Sequence, residues 1–360
     1  MNIVIAGGGT GGHLMPALAL AAALRRRRAD LDPVLVGAVR GVDRFILPQR
    51  EYRHYLLPTE PIYRHQWWRN VRWPMILPRL LRQVGELLDR EQPALVVGTG
   101  GYASAPVLYL ASRRGIPIAL QEQNAWPGIA TRRLSRRARQ IHLGYPEARA
   151  RLRVGPDTVV YDSGNPIVPP LAVAKDAARR GLGLPERVPA ILVMGGSQGA
   201  RALNEATSAA LDAGLFGAVS VLWSTGARTF PRYACHASDT VLVKPFWDPI
   251  GDAYAAVDLV VGRAGAMTTA ELAAWKLPSV LVPLPGAAAD HQRRNAEALA
   301  AAGAAIHLPE SALSPARLAT ECTGVLGDPA RRARIAQSAA ARARPGAADE
   351  IAARLIEIVA

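Results

Sequence analysis

The stretch Gly195-Gly196-Ser197-Gln198-Gly199-Ala200-Arg201 follows an apolar run at 190–194 and leads into a segment of helical spacing at 200–213. The chain uses the same device at its start. Residues 3–6 are apolar, break into Gly7-Gly8-Gly9-Thr10-Gly11-Gly12-His13, and lead into an alanine-rich helical stretch at 16–27. A strand, a glycine turn and a helix start together bind anions, because small residues admit close backbone approach and the first helical N–H groups point outward. Two such devices, beginning at residues 7 and 195, predict two Rossmann-like parallel-sheet domains facing one another across a cleft.

Outward from these turns, strand-like and helix-like segments alternate along the whole chain, as parallel sheets covered by helices require. In the first half the strand candidates are 3–6, 34–37, 95–98, 118–121 and 140–143, with helices at 16–27, 74–89 and 105–114. In the second half they are 191–194, 219–224, 240–243, 259–261 and 279–282, with helices at 200–213, 267–275, 291–302 and 329–343. The proline- and glycine-bearing stretch Ser163-Gly164-Asn165-Pro166-Ile167-Val168-Pro169-Pro170 reads as an extended linker. The expected domains are therefore 1–163 and 164–345, with a C-terminal helix in 346–360 packing back on the first.

Composition narrows the class. At 360 residues, half of them hydrophobic and a fifth charged, the chain can build two cores. The longest clean apolar run near the start, 16–24, falls short of the ~20 residues a membrane helix needs, and no basic segment precedes an apolar one as in a secretory signal. Cys235 and Cys322 are too few for a disulfide framework and form no metal-ligand spacing motif, which suits a reducing cytoplasm. The formal charge of +14 comes almost wholly from arginine. A basic surface attracts anionic lipid or phosphorylated substrates, while no nucleic-acid-binding signature is present.

Several polar clusters sit where open parallel sheets place ligands, at the carboxyl ends of strands. The first glycine run also satisfies G-x-G-x-x-G, but a nicotinamide fold wants an acid after the second strand; that strand ends Val36-Gly37-Ala38-Val39-Arg40, with no acid. His13 stands at a helix start, where the helix field disfavours an imidazolium and keeps the ring a neutral proton acceptor. Thr10, Gly11 and Gly12, together with Gly100, Gly101 and Tyr102 in a further glycine turn, form candidate diphosphate sites. Gln121-Glu122-Gln123-Asn124 supplies sugar- or peptide-binding groups. In the second half, Phe246 and Trp247 suit a base. Arg263, Met267 and Thr268 at a helix start suit a diphosphate, Glu271 one turn on suits ribose hydroxyls, and His291 with Gln292 suits a sugar ring. Tyr63 to Arg82 interleaves Trp67, Trp68 and Trp73 with Arg69 and Arg72, the pattern by which apolar rings enter a headgroup layer while guanidinium groups meet anionic lipid.

These segments resemble the MurG family over nearly the whole chain and in order: GGGTGGH at 7–13, GTGGYASAP at 98–106, QEQNAWPG at 121–128, GNP at 164–166, GGSQGARALN at 195–204, the Phe246 segment, RAGAMTTAELAA at 263–274 and DHQRRNA at 290–296. The resemblance implies a GT-B fold and an inverting, metal- and cofactor-free transfer of N-acetylglucosamine (GlcNAc). The donor would be UDP-GlcNAc and the acceptor the 4-hydroxyl of undecaprenyl-diphospho-MurNAc-pentapeptide. It implies work at the cytoplasmic face of the plasma membrane, against an anionic surface, with other cell-wall enzymes as partners and no nucleic acid. By the same resemblance Phe246 and the Trp247 backbone take uracil, Glu271 the ribose, Ser197, Met267 and Thr268 the diphosphate region, and Gln292 with His291 the sugar. Asn124 lies near the reacting hydroxyl, and the expected base is His13, then Glu122. The chain departs from the family pattern at Gln121, Arg132, Val168 and Ala264. A GT-B enzyme with another lipid or aglycone acceptor, and a non-catalytic nucleotide-sugar-binding scaffold, are the rival readings.

Overall fold

The computed structural model describes residues 1–60, 68, 71, 73–196 and 199–359. The chain divides into two compact units, Met1–Val168 with Arg344–Ala360, and Pro169–Ala343.

Unit 1 carries β1 (Asn2–Gly8), α1 (Gly11–Arg27), β2 (Asp32–Ala38), the short α2 (Asp43–Ile46), β3 (His54–Leu57), α3 (Trp73–Glu91), β4 (Leu95–Gly101), α4 (Ser104–Arg113), β5 (Ile118–Glu122), α5 (Ile129–Leu134), β6 (Gln140–Leu143) and β7 (Val159–Tyr161). Its parallel sheet runs β3-β2-β1-β4-β5-β6-β7. Alternate residues of β1 serve opposite layers, as the two-residue strand period dictates. Ile3 and Ile5 pack with α1 and the C-terminal helix Ala347–Val359, through Leu20, Leu24, Ile351 and Leu355. Val4 and Ala6 pack with α3 and α4, through Leu80, Val84 and Val107. Burial on both faces is why the strands read as unbroken apolar runs.

Unit 2 carries α6 (Lys175–Gly181), β8 (Ala190–Met194), α7 (Arg201–Asp212), β9 (Ser220–Ser224), α8 (Phe230–Tyr233), β10 (Val241–Lys244), α9 (Ile250–Ala256), β11 (Leu259–Gly262), α10 (Ala266–Ala274), β12 (Ser279–Leu281), α11 (His291–Ala301), β13 (Ile306–His307), α12 (Pro315–Leu326) and α13 (Pro329–Arg342). Its sheet order is β10-β9-β8-β11-β12-β13, with a core around Trp223, Leu203, Val261 and Leu318.

Strand order reverses between β1 and β4 in unit 1 and between β8 and β11 in unit 2. Ligands of open parallel sheets bind outside the carboxyl ends of the strands at such points, and both glycine devices lie there. The strands at 54–57, 159–161 and 306–307 were not expected; each is short and lies at or next to a sheet edge.

Candidate functional site

In unit 1 the site grows from two glycine segments held side by side. The β1–β4 register pairs Gly7 with Gly100 and Gly8 with Gly101, so the third glycine turn is the end of a strand, and the helix behind it, α4, starts at Ser104. Gly9 has φ +91°, and a Cβ there would stand 2.3 Å from the Tyr102 ring; only glycine lets that ring close over the loop. Thr10 precedes α1 with extended backbone and no side-chain cap. Among the described residues the N–H groups of Gly11 and Gly12 take no protein partner, the condition for receiving an anion.

His13 lies in the first turn of α1, half-buried. Its Nδ1 is 3.1 Å from the Thr99 carbonyl oxygen and 3.2 Å from Gln123 Oε1. Both neighbours are acceptors, because Gln123 Nε2 itself donates to Thr99 O at 2.6 Å. Nδ1 therefore carries the hydrogen in the neutral ring, and the basic lone pair is on Nε2. Thr99 Oγ1 donates back to the His13 carbonyl at 2.8 Å. Behind this pair runs a buried amide chain: Gln121 Nε2 donates to Asn165 Oδ1 at 3.0 Å, and Asn165 Nδ2 to the Gln123 carbonyl at 3.0 Å. Gln121 is thus joined to the linker asparagine.

Glu122, the second candidate base, is engaged on both carboxylate oxygens. Its carboxylate, 3% exposed, accepts from Asn124 N (3.1 Å) and Nδ2 (3.3 Å) on Oε1, and from Gly128 N (2.9 Å) and Thr131 Oγ1 (2.7 Å) on Oε2. With both oxygens so occupied, Glu122 clamps Asn124 and the start of α5.

The acid that the sequence count missed is Asp43, fully buried beneath the first glycine loop. Oδ2 accepts from Gly9 N at 2.6 Å and Ala38 N at 2.8 Å, while burial pushes the carboxyl up against the pull of those amides. It faces the loop backbone rather than a ribose. Arg40 pairs with Glu60 at 2.8 Å.

In unit 2, Met267 and Thr268 occupy the first turn of α10, whose leading Gly265 offers no side-chain cap. Their N–H groups take no partner among the described residues. Arg263 departs from the simple picture of a free diphosphate ligand. Nη1 donates to the carbonyls of Val282 (3.1 Å) and Pro283 (3.2 Å), and Nη2 meets Glu310 Oε2 at 2.5 Å. The guanidinium ties the loop after β12 to β11. Asn295, buried on α11, donates to the Ala264 carbonyl at 3.1 Å. Glu271 Oε2 accepts from Tyr254 Oη at 3.1 Å. Phe246 is 54% exposed beyond β10, whereas Trp247 is buried with Lys244 over its ring at 4.3 Å, so for Trp247 only the backbone is placed to meet a ligand. Gln292 Oε1 accepts from Leu284 N at 3.0 Å, and His291 Nδ1 donates to the Ala288 carbonyl at 2.7 Å. Ser197 lies outside the described residues.

Residues 3–143 match the glycosyltransferase family 28 N-terminal domain and 190–351 its C-terminal domain. A curated relative from Salinibacter ruber, a UDP-N-acetylglucosamine–N-acetylmuramyl-(pentapeptide) pyrophosphoryl-undecaprenol N-acetylglucosamine transferase, is 41% identical over 98% of this chain and 95% of its own. The chain belongs to the MurG family. A Chlorobium limicola enzyme of the same name is 38% identical over 99% of both chains. The crystal structure of Acinetobacter baumannii MurG matches with TM-score 0.78, 25% identity and 99% coverage of each chain. The two Rossmann-like units are those of a GT-B fold.

The tryptophan-rich segment of this family member falls partly outside the described residues, which exclude Trp67, Arg69 and Arg72. Trp68 is 57% exposed, and Val71, Met75 and Leu77 are exposed beside it. Trp73 is half-buried and packs against the unit 1 core cluster that includes Leu80 and Val84. No helix among the described residues is long and apolar enough to cross a membrane, and none of their acidic, histidine and cysteine side chains cluster in threes that could hold a metal ion.

Proposed function

We propose that this MurG-family chain transfers GlcNAc from UDP-GlcNAc to the 4-hydroxyl of undecaprenyl-diphospho-MurNAc-pentapeptide, a step of peptidoglycan synthesis. The observation that carries the mechanism is the His13–Thr99 pair. A ring whose Nδ1–H is fixed on a carbonyl presents Nε2 as a proton acceptor. The acceptor hydroxyl, losing its proton to His13 Nε2, attacks the anomeric carbon of the α-linked donor from the face opposite UDP. The C1–O bond to phosphate breaks, and the product is a β-1,4 link. Charge accumulates on the departing diphosphate, where the Met267 and Thr268 N–H groups and the α10 dipole stabilise it. Arg263 adds positive charge from behind while holding the loops in register.

On the donor, Phe246 stacks on uracil beside the Trp247 backbone, Glu271 binds the ribose, Ser197 helps hold the diphosphate, and His291 and Gln292 hold the sugar. On the acceptor, Thr10, Gly11, Gly12, Gly100, Gly101 and Tyr102 receive the lipid-linked diphosphate, and Asn124, clamped by Glu122, orients the muramoyl sugar. The exposed Trp68, Val71, Met75 and Leu77 dock on the anionic cytoplasmic face of the membrane, where other cell-wall enzymes work on the product.

The test is sugar transfer onto a short-chain lipid-linked muramoyl-pentapeptide. Disaccharide and UDP form one for one, and His13→Ala lowers kcat by roughly 10²–10⁴-fold with the donor KM little changed. Absence of transfer to this acceptor, with turnover on a diacylglycerol or aglycone instead, would refute the acceptor assignment.

A further inference from the structure

We propose that Tyr254 is a positioning residue that aims Glu271 at the donor ribose and thereby sets the preference for a ribonucleotide over a 2′-deoxyribonucleotide. The inference rests on the ribose reading of Glu271 given above. Glutamate has three side-chain torsions, and a carboxylate left to rotate presents its two oxygens to a vicinal diol only part of the time. Here Tyr254, 1% exposed on α9, donates its hydroxyl to Oε2 at 3.1 Å. The tyrosine ring is itself held: it packs tilted on Trp275, just past α10, with centroids 5.9 Å apart.

One fixed hydrogen bond on Oε2 orients the carboxylate plane without using up its capacity. Each carboxylate oxygen has two lone-pair sites, and among the described residues Oε1 takes no hydrogen bond. An acceptor position on each oxygen is thus left for the two ribose hydroxyls. Charge runs the same way. Burial pushes the Glu271 carboxyl up, the Tyr254 hydroxyl pulls it back toward the ionised form, and burial holds the phenol well above its ordinary range, so it stays a donor.

The experiment is calorimetric binding of UDP and 2′-deoxy-UDP to the wild type, Tyr254→Phe, Glu271→Gln and Trp275→Phe, alongside kcat and KM for UDP-GlcNAc. Wild type and Trp275→Phe prefer UDP. Tyr254→Phe, which keeps the ring and its packing, shrinks that preference by about 3–10-fold, the range for loss of one ordinary hydrogen bond. It raises the donor KM by a similar factor and leaves kcat at saturating donor nearly unchanged. If Tyr254→Phe retains the wild-type preference, Tyr254 only packs, and the inference falls while the ribose reading stands. If Trp275→Phe loses the preference as fully as Tyr254→Phe, packing rather than the hydroxyl is responsible, and the inference again falls. If wild type and Glu271→Gln both bind the two nucleotides alike, the ribose reading itself fails and takes the inference with it.

Discussion

Replacing Glu122 by glutamine separates a clamp from a base. The buried carboxylate accepts two hydrogen bonds on each oxygen, from Asn124 on one side and from Gly128 and Thr131 on the other. Glutamine keeps one acceptor oxygen and turns the other into an amide that faces donors with a donor. Two bonds to a charged acceptor are lost whichever way the amide lies. Each is worth about 1.5–3 kcal/mol, and with partial relaxation we expect a net loss of about 3 kcal/mol. Against the ~5–15 kcal/mol of an ordinary domain, that leaves the protein folded but measurably weakened. Urea unfolding reads the stability, and kcat/KM against pH on the short-chain acceptor reads the role. We expect the stability loss, a roughly 10–100-fold fall in kcat/KM as Asn124 drifts, and an acid limb at its wild-type position, because the proton acceptor is untouched. A Glu122→Gln protein as stable as wild type, with its acid limb abolished, would make Glu122 the base and refute the clamp.

Two further outcomes are expected. His142 is buried between Gln140 Oε1 (3.1 Å) and Ser163 Oγ (3.0 Å), and burial lowers its pKa from 6.5 to about 3. The unfolded chain therefore binds the extra proton first, and stability is lost as pH falls below 6.5, at about 1.4 kcal/mol per pH unit down to the folded value. Denaturant unfolding at pH 7.5 and pH 5 should show a steeper loss for wild type than for His142→Gln, and equal losses would contradict it. Trp68→Ser combined with Met75→Ser removes exposed apolar surface, and sedimentation with anionic vesicles should show binding weakened by about 10-fold or more while transfer to a soluble acceptor analogue is retained; unchanged vesicle binding would remove this segment from the membrane contact.

Much of the architecture was legible because each central strand is buried on both faces and so appears as an unbroken apolar run. Residues 118–120, 190–194 and 259–261 are of this kind. The strand at 54–57, His-Tyr-Leu-Leu, is half-exposed at an edge and leaves no such run. At the candidate sites the helix starts were readable, and with them the positions of His13, Met267 and Thr268 in their first turns. What escaped were contacts made by distant chain. Asp43 lies five residues past β2, and its partner Gly9 comes from another loop. Arg263 is engaged by Glu310, two strands on. Tyr254 sits on α9, a helix that was not expected from the sequence, and meets Glu271 from a stretch of chain 17 residues earlier. Glu122 looked like a base for the same reason. An acid at a strand end is conspicuous in sequence, while the turn that occupies it, Gly128 to Thr131, is anonymous.

The return of the final helix to unit 1 has a consequence for how the protein is made. Residues 347–359 cover α1 and complete the layer containing Leu20 and Leu24, yet every residue of unit 2 precedes them in the chain. During synthesis the second unit has its full complement of chain before the first can close its core. The amino-terminal unit, begun first, must wait with one apolar face open until the last turns emerge.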